Sequence, residues 1–362
     1  MAMDQKGQRP ALPSLTFWRV ITSFLVYLTL TPKSFAVTML PLNSPGFVAD
    51  AQLGASTPDQ VHLWADWISA AMVESGDDKK FDYDISVLQL SSIGILSTSI
   101  KNFKIGLRYG DETARVTNNI EQRLVTHPVT KTESKYVVRE ISPIGIFKVD
   151  EALTIGYTIQ VLSYVDRISI VRTGGTEDEA LPVFKETIIR PVPSLVYRFS
   201  DYQLSLNYAP WAHKSTETGT AREPRTIKAA FFMTQGDRGY LLSLTQRAWD
   251  RFRETDSKML KITLGFLGKV NQYRIGGYFA HQPSFAKNNE DTNLGNLAVD
   301  RLTLTFESPF EEGGSLGLTA YVEKGKGWSS QTIENIQGQG FQNKSEYTLD
   351  SQSISLVMSQ NF

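Results

Sequence analysis

Apolar side chains recur at every second position in segments spread over most of the chain. In Leu153–Val161 the odd-numbered residues are apolar, whereas the residues between them are Thr154, Gly156, Thr158 and Gln160. This is the period of a β-strand with one apolar face. The same period marks segments that begin at Phe103, Leu195, Tyr202, Leu260, Tyr273, Leu302 and Leu316. No run after Leu30 approaches the length of a membrane-spanning helix. The sequence therefore predicts an all-β fold.

The connections between these segments alternate between short and long. Short turns are predicted at 148–152, 200–202, 235–239, 268–272 and 308–315. Long polar stretches lie between them, at 165–186, 210–225, 249–257, 281–296 and 324–346. A soluble β-sandwich shares the alternation of residues but has no reason to alternate its loop lengths. Short turns on one rim and long loops on the other are typical of a transmembrane antiparallel β-barrel.

Aromatic residues concentrate near both ends of the predicted strands, as in the interfacial girdles of such barrels. Near the short turns these are Phe103, Phe147, Phe199, Tyr202, Tyr240, Tyr273 and Phe310. Near the long connections they are Tyr109, Tyr164, Trp211, Trp249 and Trp328. The pattern predicts two girdles around one lipid-facing band.

Thirteen strands are predicted directly. They begin near residues 82, 102, 134, 152, 187, 202, 225, 239, 258, 271, 297, 314 and 347. Single-chain bacterial barrels have an even number of strands. The missing strand is placed in Val116–His127, where Asn118-Asn119 could form a turn. We therefore predict about 14 strands, with 12 as the alternative.

The chain ends on an alternating segment that closes with an aromatic residue. Ile354, Leu356, Met358 and Phe362 share one face, interrupted only by Gln360. This segment resembles the C-terminal strand of Gram-negative outer-membrane β-barrel proteins, which the barrel assembly machinery recognises. The resemblance implies location in the bacterial outer membrane, with outer-membrane lipid and the assembly machinery as partners.

The N-terminus has the order of a secretory signal. Lys6, Arg9 and Arg19 precede the apolar run Val20–Leu30, and small residues flank Phe35 in Ser34-Phe35-Ala36. The run is too short to span a bilayer as a helix. We predict a signal peptide over 1–36; a buried hydrophobic strand is the alternative.

A segment before the first predicted strand has the features of a helix. Ser56–Gly76 offers Thr57 as an N-cap and Pro58 at the first helical position. Trp64 and Trp67 belong to an apolar stripe at three- and four-residue spacing. We predict that residues 37–80 form an N-terminal segment whose short amphipathic helix plugs the barrel or lies at its periplasmic rim, and that 81–362 form the barrel. The alternative is a first transmembrane strand, which would also make the strand number even.

A plug inside about 14 strands is similar in architecture to the long-chain fatty-acid transporter family, whose N-terminal segment forms a hatch. The family's Asn-Pro-Ala hatch motif has at best a distant counterpart in Asn43–Phe47. No site residue is carried over from it.

The face opposite the apolar one is expected to line the lumen. Its predicted cations are Lys104, Arg108, Arg190, Arg198, Lys228, Arg247, Lys261, Arg274 and Arg301. Its predicted carboxylates are Asp82, Asp84, Glu307 and Glu323. A basic pore favours anions, so we predict a channel for small solutes with a mild anion preference. The alternatives are a hydrophobic-substrate transporter with an N-terminal hatch, and an enzyme or anchor with a filled lumen.

Other classes of function find little support. The net charge of −1 excludes the basic bias expected of a nucleic-acid partner. The sequence contains four histidines: His62, His127, His213 and His281. An acid–base site could pair Asp82 or Asp84 with His213 or His281, but the spacing does not require it. We predict no catalytic residue, no metal site and no cofactor.

Overall fold

In the computed structural model, all regular secondary structure among the described residues is β-strand. The structure covers residues 59–76, 79–122, 129–172, 179–180, 183–210, 212–213, 221–223, 225–235, 237–249, 257–286, 293–309, 314–334 and 340–361. The first seven strands are β1 (Gln60–Gly76), β2 (Lys79–Ser97), β3 (Phe103–Gln122), β4 (Val129–Lys148), β5 (Leu153–Arg172), β6 (Glu179–Ala180) and β7 (Phe184–Phe199). The next six are β8 (Tyr202–Ala209), β9 (Ala212–His213), β10 (Ala221–Glu223), β11 (Arg225–Gln235), β12 (Arg238–Trp249) and β13 (Ser257–Val270). The last five are β14 (Tyr273–Gln282), β15 (Ser284–Ala286), β16 (Asn293–Pro309), β17 (Gly314–Glu334) and β18 (Gly340–Asn361). No helix within these ranges could span a membrane.

Fourteen long antiparallel strands close into one barrel. The sheet runs β12-β11-β8-β7-β5-β4-β3-β2-β1-β18-β17-β16-β14-β13, and pairing of β12 with β13 closes it. Gln60 at the start of β1 pairs with Asn361 at the end of β18. Closure leaves no open edge among the long strands, which lipid requires because unpaired backbone groups there are costly.

The two rims differ. One rim holds the start of β1, the end of β18 and connections of two to five residues, such as 200–201 and 271–272. Short turns face the periplasm in such barrels, so we call this the periplasmic end and the opposite rim the outer end. Asp59, just before β1, accepts hydrogen bonds of 2.6 Å from the backbone N–H and the hydroxyl of Ser97. These bonds lower the pKa of the Asp59 carboxyl and fix the entry of the chain into the barrel.

The outer face near the periplasmic end is apolar and aromatic. On β18, Ile354, Leu356 and Met358 point outward and are 56%, 52% and 44% exposed. Aromatic rings contact one another from strand to strand near the short turns, as in Phe199–Tyr202 (5.3 Å between centroids) and Tyr273–Phe306 (5.2 Å). An outward apolar band with an aromatic girdle is the surface that lipid contacts. The protein is therefore a transmembrane β-barrel, as predicted.

The wall has two heights. Strands β16–β18 and β1–β5 contain 17 to 22 residues each and form what we call the tall wall. Strands β7, β8 and β11–β14 contain 8 to 16 residues and form the short wall. About ten residues of a tilted strand suffice to cross a hydrophobic band about 25 Å tall. The outer parts of the tall wall consequently rise above the lipid.

The apolar face changes sides within the tall wall. On β2, Leu88 and Leu90 point outward, while Gln89 and Ser91 are buried inside the barrel. Further toward the outer end the order reverses. Phe81, Tyr83, Ile85 and Val87 are buried on the inner face, whereas Asp84 and Ser86 are exposed on the outer face. The outer face meets lipid below and water above, so the favourable position for apolar side chains moves to the inside.

This change of face explains why the predicted helix is wrong. Gln60–Gly76 is the first strand of the barrel, with Trp64 buried on the inner face and Trp67 63% exposed on the outer face. Apolar residues occupy the outer face near Leu63 and the inner face near Met72, so their combined spacing imitates a helical period. The alternative, a first transmembrane strand, is confirmed.

The strand count of about 14 is confirmed, and the thirteen directly predicted strands are all present. The predicted position of the fourteenth strand is wrong, since Asn118-Asn119 lies inside β3 and forms no turn. The stretch 324–346 is mostly strand rather than loop, because β17 and β18 pair as far as Glu334 and Gly340. The signal peptide and Phe362 lie outside the described residues.

Candidate functional site: the barrel lumen

All nine predicted lumen cations lie on the inner face of their strands. Five are half-buried: Lys104, Arg108, Arg198, Lys228 and Arg274. Four are buried: Arg190, Arg247, Lys261 and Arg301. Of the predicted lumen carboxylates, Glu307 and Glu323 are buried on the inner face. Asp82 and Asp84 are on the outer face of β2, because they belong to the region where the apolar face has changed sides.

Besides Glu186 on β7, three buried carboxylates of the inner face were not predicted from the sequence. Asp66 on β1, Glu112 on β3 and Glu140 on β4 are buried with exposures of 1%, 1% and 4%. Asp66 lies in the segment predicted as a helix, and Glu112 and Glu140 lie in parts of their strands for which no alternation was identified. The lumen is consequently not as one-sidedly basic as predicted.

Eleven of the charged and amide side chains on the inner face lie at a similar distance from the periplasmic end, and we call them the polar belt. Each member lies six to nine residues from the periplasmic end of its strand. Its members are Asp66, Gln89, Glu112, Glu140, Gln160, Arg190, Lys228, Arg247, Lys261, Arg301 and Glu323. Five are formally positive and four negative, and the signs are segregated. The carboxylates Asp66, Glu112 and Glu140 occupy β1–β4, while the five cations occupy β7–β16.

The acidic side of the polar belt is joined to the nearest arginine by hydrogen bonds. Glu140 accepts hydrogen bonds from Ser142 Oγ (2.9 Å) and Gln160 Nε2 (3.2 Å). Gln160 Oε1 in turn accepts one from Arg190 Nε (2.7 Å). Arg108 Nη1 approaches the same Glu140 carboxylate at 3.9 Å. This network holds the wall of β3–β7 in one arrangement.

The basic side is centred on Lys261 and Arg301. Arg301 donates to Glu323 from Nε (2.6 Å) and lies over the ring of Tyr321, 4.0 Å from its centroid. Lys261 interacts electrostatically with Arg301, Glu323, Arg247 and Lys228. In the barrel order, the strand of Lys261 lies seven strands from β3 in either direction. The carboxylate of Glu112 and the ammonium of Lys261 therefore belong to opposite walls.

Above the polar belt the inner face of the tall wall is apolar and aromatic, and we call it the outer apolar surface. It is buried and extends over the tall wall onto β7. Its members are Ile68, Ala70, Met72, Phe81, Tyr83, Ile85, Val87, Ala114, Val116, Ile120, Tyr136, Val138, Leu162, Tyr164, Ile188, Val299, Tyr321, Tyr347 and Leu349. Tyr164 was predicted to face lipid in a girdle and instead packs inside, with its ring 5.7 Å from that of Tyr136. Two smaller apolar clusters lie below the belt, around Ile95 and around Phe232.

The acid–base pairs considered from the sequence do not form among the described side chains. His281 Nδ1 lies 2.7 Å from Asp300 Oδ1 on the outer face, and Asp82 pairs with Lys80 at 2.9 Å. His62 is buried on the inner face of β1. In the part of the chain that the structure describes, no group of three or more acidic or histidine side chains is placed to hold a metal ion.

The barrel resembles known outer-membrane proteins. A crystal structure of a Pseudomonas aeruginosa FadL homologue matches with a TM-score of 0.62 and 11% identity, covering 86% of this chain and 92% of that chain. The crystal structure of the P. putida toluene transporter TodX matches with a TM-score of 0.44, 10% identity and the same coverage. The translocator domain of autotransporter NalP from Neisseria meningitidis gives 0.40 and 9%, covering 94% and 98%.

The first of these likenesses shows the fold. It confirms the architectural similarity to the fatty-acid transporter family and shows that the chain has the fold of a bacterial outer-membrane barrel. No family model and no curated protein matches the sequence. What such a barrel carries must be argued from its own lumen.

Proposed function

We propose that the barrel is an outer-membrane channel for small hydrophobic or amphiphilic solutes, which it receives on the outer apolar surface. The buried apolar and aromatic inner face above the polar belt is the observation that supports this function. A diffusion porin has a polar interior, whereas an apolar inner face favours apolar groups over water. The fold shared with the FadL homologue is compatible with this function.

Transfer of an apolar fluorescent dye into proteoliposomes tests the proposal. Tyr136 and Val138 point into the lumen from β4, and Val137 between them points outward. Replacing the inner pair by serine removes apolar surface from the proposed path, so we expect the transfer rate to fall about tenfold. The matched Val137→Ser variant should transfer dye at the wild-type rate. Equal rates for all three proteins would contradict the proposed path.

A second candidate function is the mild anion preference predicted from the sequence. It is favoured by the basic side of the polar belt, where Lys261 lies among Arg247, Arg301 and Lys228 with Glu323 as the carboxylate. The reversal potential of the reconstituted channel in a salt gradient measures this preference. Lys261→Gln should move it toward zero, whereas outward-facing Lys324→Gln should not. Arg108 and Arg274 are weaker probes, because each faces a buried carboxylate.

We further propose that the chain carries no catalytic site and that its export follows the outer-membrane route. The predicted signal peptide 1–36 would direct it across the inner membrane, and the assembly machinery would read the outward face of β18 together with Phe362. Deleting Phe362 should lower the yield of assembled, heat-modifiable barrel in cells. An unchanged yield would argue against recognition of this terminus.

A further inference from the structure

Three cations meet on the outer surface of the tall wall. Arg115 on β3 pairs in register with Lys135 on β4, and Lys135 pairs with Arg167 on β5. All three side chains are exposed on the outer face. Within the described residues, none of them makes a hydrogen bond or an ion pair. We call these three residues the cation row. Lys185 on β7, exposed on the same face and diagonal to Arg167, extends it.

The arrangement is unfavourable in the isolated protein, since like charges directly opposite on neighbouring strands repel. Elsewhere on this outer face, opposite charges meet. Arg139 lies 3.3 Å from Asp111, and Lys324 lies 3.6 Å from Asp350. The nearest carboxylates do not neutralise the row. Glu133 pairs with Lys131, and Asp84, diagonal to Arg115, forms no ion pair with it. Among the described residues no carboxylate neutralises the row, which leaves it accessible to an external anion.

The height of the cation row identifies where that anion comes from. Arg115, Lys135 and Arg167 lie 12, 13 and 14 residues from the periplasmic ends of their strands. The apolar band occupies about the first ten residues of a strand tilted as in outer-membrane barrels. The headgroup layer adds roughly 5–8 Å beyond the hydrocarbon on each side. The cation row therefore lies at the level of the outer-leaflet headgroups.

We propose that the cation row binds the phosphate groups of lipopolysaccharide, the phosphorylated glycolipid of the outer leaflet. Arginine offers a planar fork of N–H donors that matches phosphate oxygens, and lysine adds a point charge between the two forks. The site rests on the membrane position of the barrel and does not depend on which solute the lumen carries. Bound lipopolysaccharide would hold the tall wall against the membrane surface.

The test uses the full-length barrel refolded in detergent, with purified lipopolysaccharide as the probe. The triple variant Arg115→Gln/Lys135→Gln/Arg167→Gln should bind lipopolysaccharide at least tenfold more weakly than wild type. The variant Lys324→Gln/Asp350→Asn, which removes a paired set of charges from the same outer face, should bind normally. Dephosphorylated lipopolysaccharide should bind wild type as weakly as the triple variant binds the intact glycolipid. Millimolar inorganic phosphate should not displace the glycolipid.

The thermal unfolding temperature gives a second measurement. It separates binding of lipopolysaccharide by the cation row from a purely structural role of these three residues. Without lipopolysaccharide, the triple variant should unfold at the wild-type temperature or above it, because repulsion is relieved. With lipopolysaccharide, wild type should gain several degrees and the triple variant should not. Equal binding by wild type and the triple variant, or equal binding of dephosphorylated glycolipid, would overturn the proposal. Displacement by inorganic phosphate would assign the row to free phosphate instead and would also overturn it.

Discussion

Within the membrane, the tall and short walls both place their apolar side chains outward. The two walls differ only above the membrane. In both, strands near the periplasmic end place apolar side chains outward, as with Leu356 on β18 and Leu264 on β13. The short wall ends near the top of this band, since β14 runs only from Tyr273 to Gln282. The tall wall continues above the band, and there its apolar side chains lie on the inner face. The comparison teaches that the surroundings of a strand, and not its period, decide which face is apolar.

The exchange also joins the fold to the proposed function. Because water surrounds the projecting part of the tall wall, its apolar residues are stable only on the inside. The same residues then form the outer apolar surface directly above the polar belt. The height difference between the two walls thereby places an apolar inner surface directly above the polar belt.

The largest effect is expected from a charge on the inner side of the exchanged region. Ile85→Asp places a carboxylate at a position that is 3% exposed and should lower the free energy of unfolding by about 4 kcal/mol. Ser86→Asp, on the exposed outer face next to it, should change that free energy by less than about 0.5 kcal/mol. Urea unfolding in phospholipid vesicles measures both. Equal losses at the two positions would break the comparison.

A charge on the lipid side gives the converse result. Leu356→Arg on β18 places a cation in the apolar band and should cost about 2–4 kcal/mol. Ala71→Arg on the adjacent β1 lies outward above the band, flanked in register by Asp350 and Asp84. It should cost nothing measurable in the same unfolding assay. A cost at Ala71 like that at Leu356 would mean that lipid reaches the projecting wall.

Packing inside the short wall gives a smaller effect. A Cβ on Gly265 would overlap the ring of Tyr278, so Gly265→Ala should destabilise the barrel by about 1–3 kcal/mol. Gly277 on the partner strand faces outward, with nothing nearer than 3.8 Å to an added Cβ. Gly277→Ala serves as the control and should be close to neutral. Equal free energies of unfolding for the two variants would show that the ring of Tyr278 does not pack against Gly265.

The smallest effect concerns the periplasmic rim, which both walls share. Hydrogen bonds from Ser97 lower the pKa of Asp59 in the folded barrel, so its contribution is present above the pKa of the unfolded chain. That contribution is lost as the pH falls through the folded value, below about 3.8. Asp59→Asn should therefore remove a small acid-side slope in stability against pH and leave neutral stability nearly unchanged. Acid titration of the unfolding midpoint checks this, and an unaltered slope would contradict it.

The fold was predictable where one environment covers a whole strand. Alternation, loop lengths and parity were sufficient for an all-β barrel of about 14 strands, because lipid imposes a single period-two pattern. Prediction failed at Gln60–Gly76 and at Asp82 and Asp84, where one strand passes from lipid into water. Both errors would have been avoided by a search for strands in which the apolar residues move from one face to the other.

The candidate site was predictable only in part, for the same reason. All nine predicted cations occupy inner-facing positions, since they lie in or near the regular band, and their role as pore-lining groups stays a prediction. The opposing carboxylates of Asp66 and Glu112 were missed, because they lie where the pattern is changing. The segregation of charge around the polar belt depends on strand order in the closed barrel, which alternation does not contain.

Spin-label accessibility along β2 tests the exchange of faces most directly. The chain has no cysteine, so single cysteines at positions 82 to 92 can each be labelled and reconstituted in vesicles. Labels at 88 and 90 should be accessible to oxygen from the lipid, and labels at 84 and 86 to a water-soluble nickel reagent. Labels at 83 and 85 should be shielded from both. Lipid accessibility at 83 and 85 would contradict the account, because those side chains would then face the membrane.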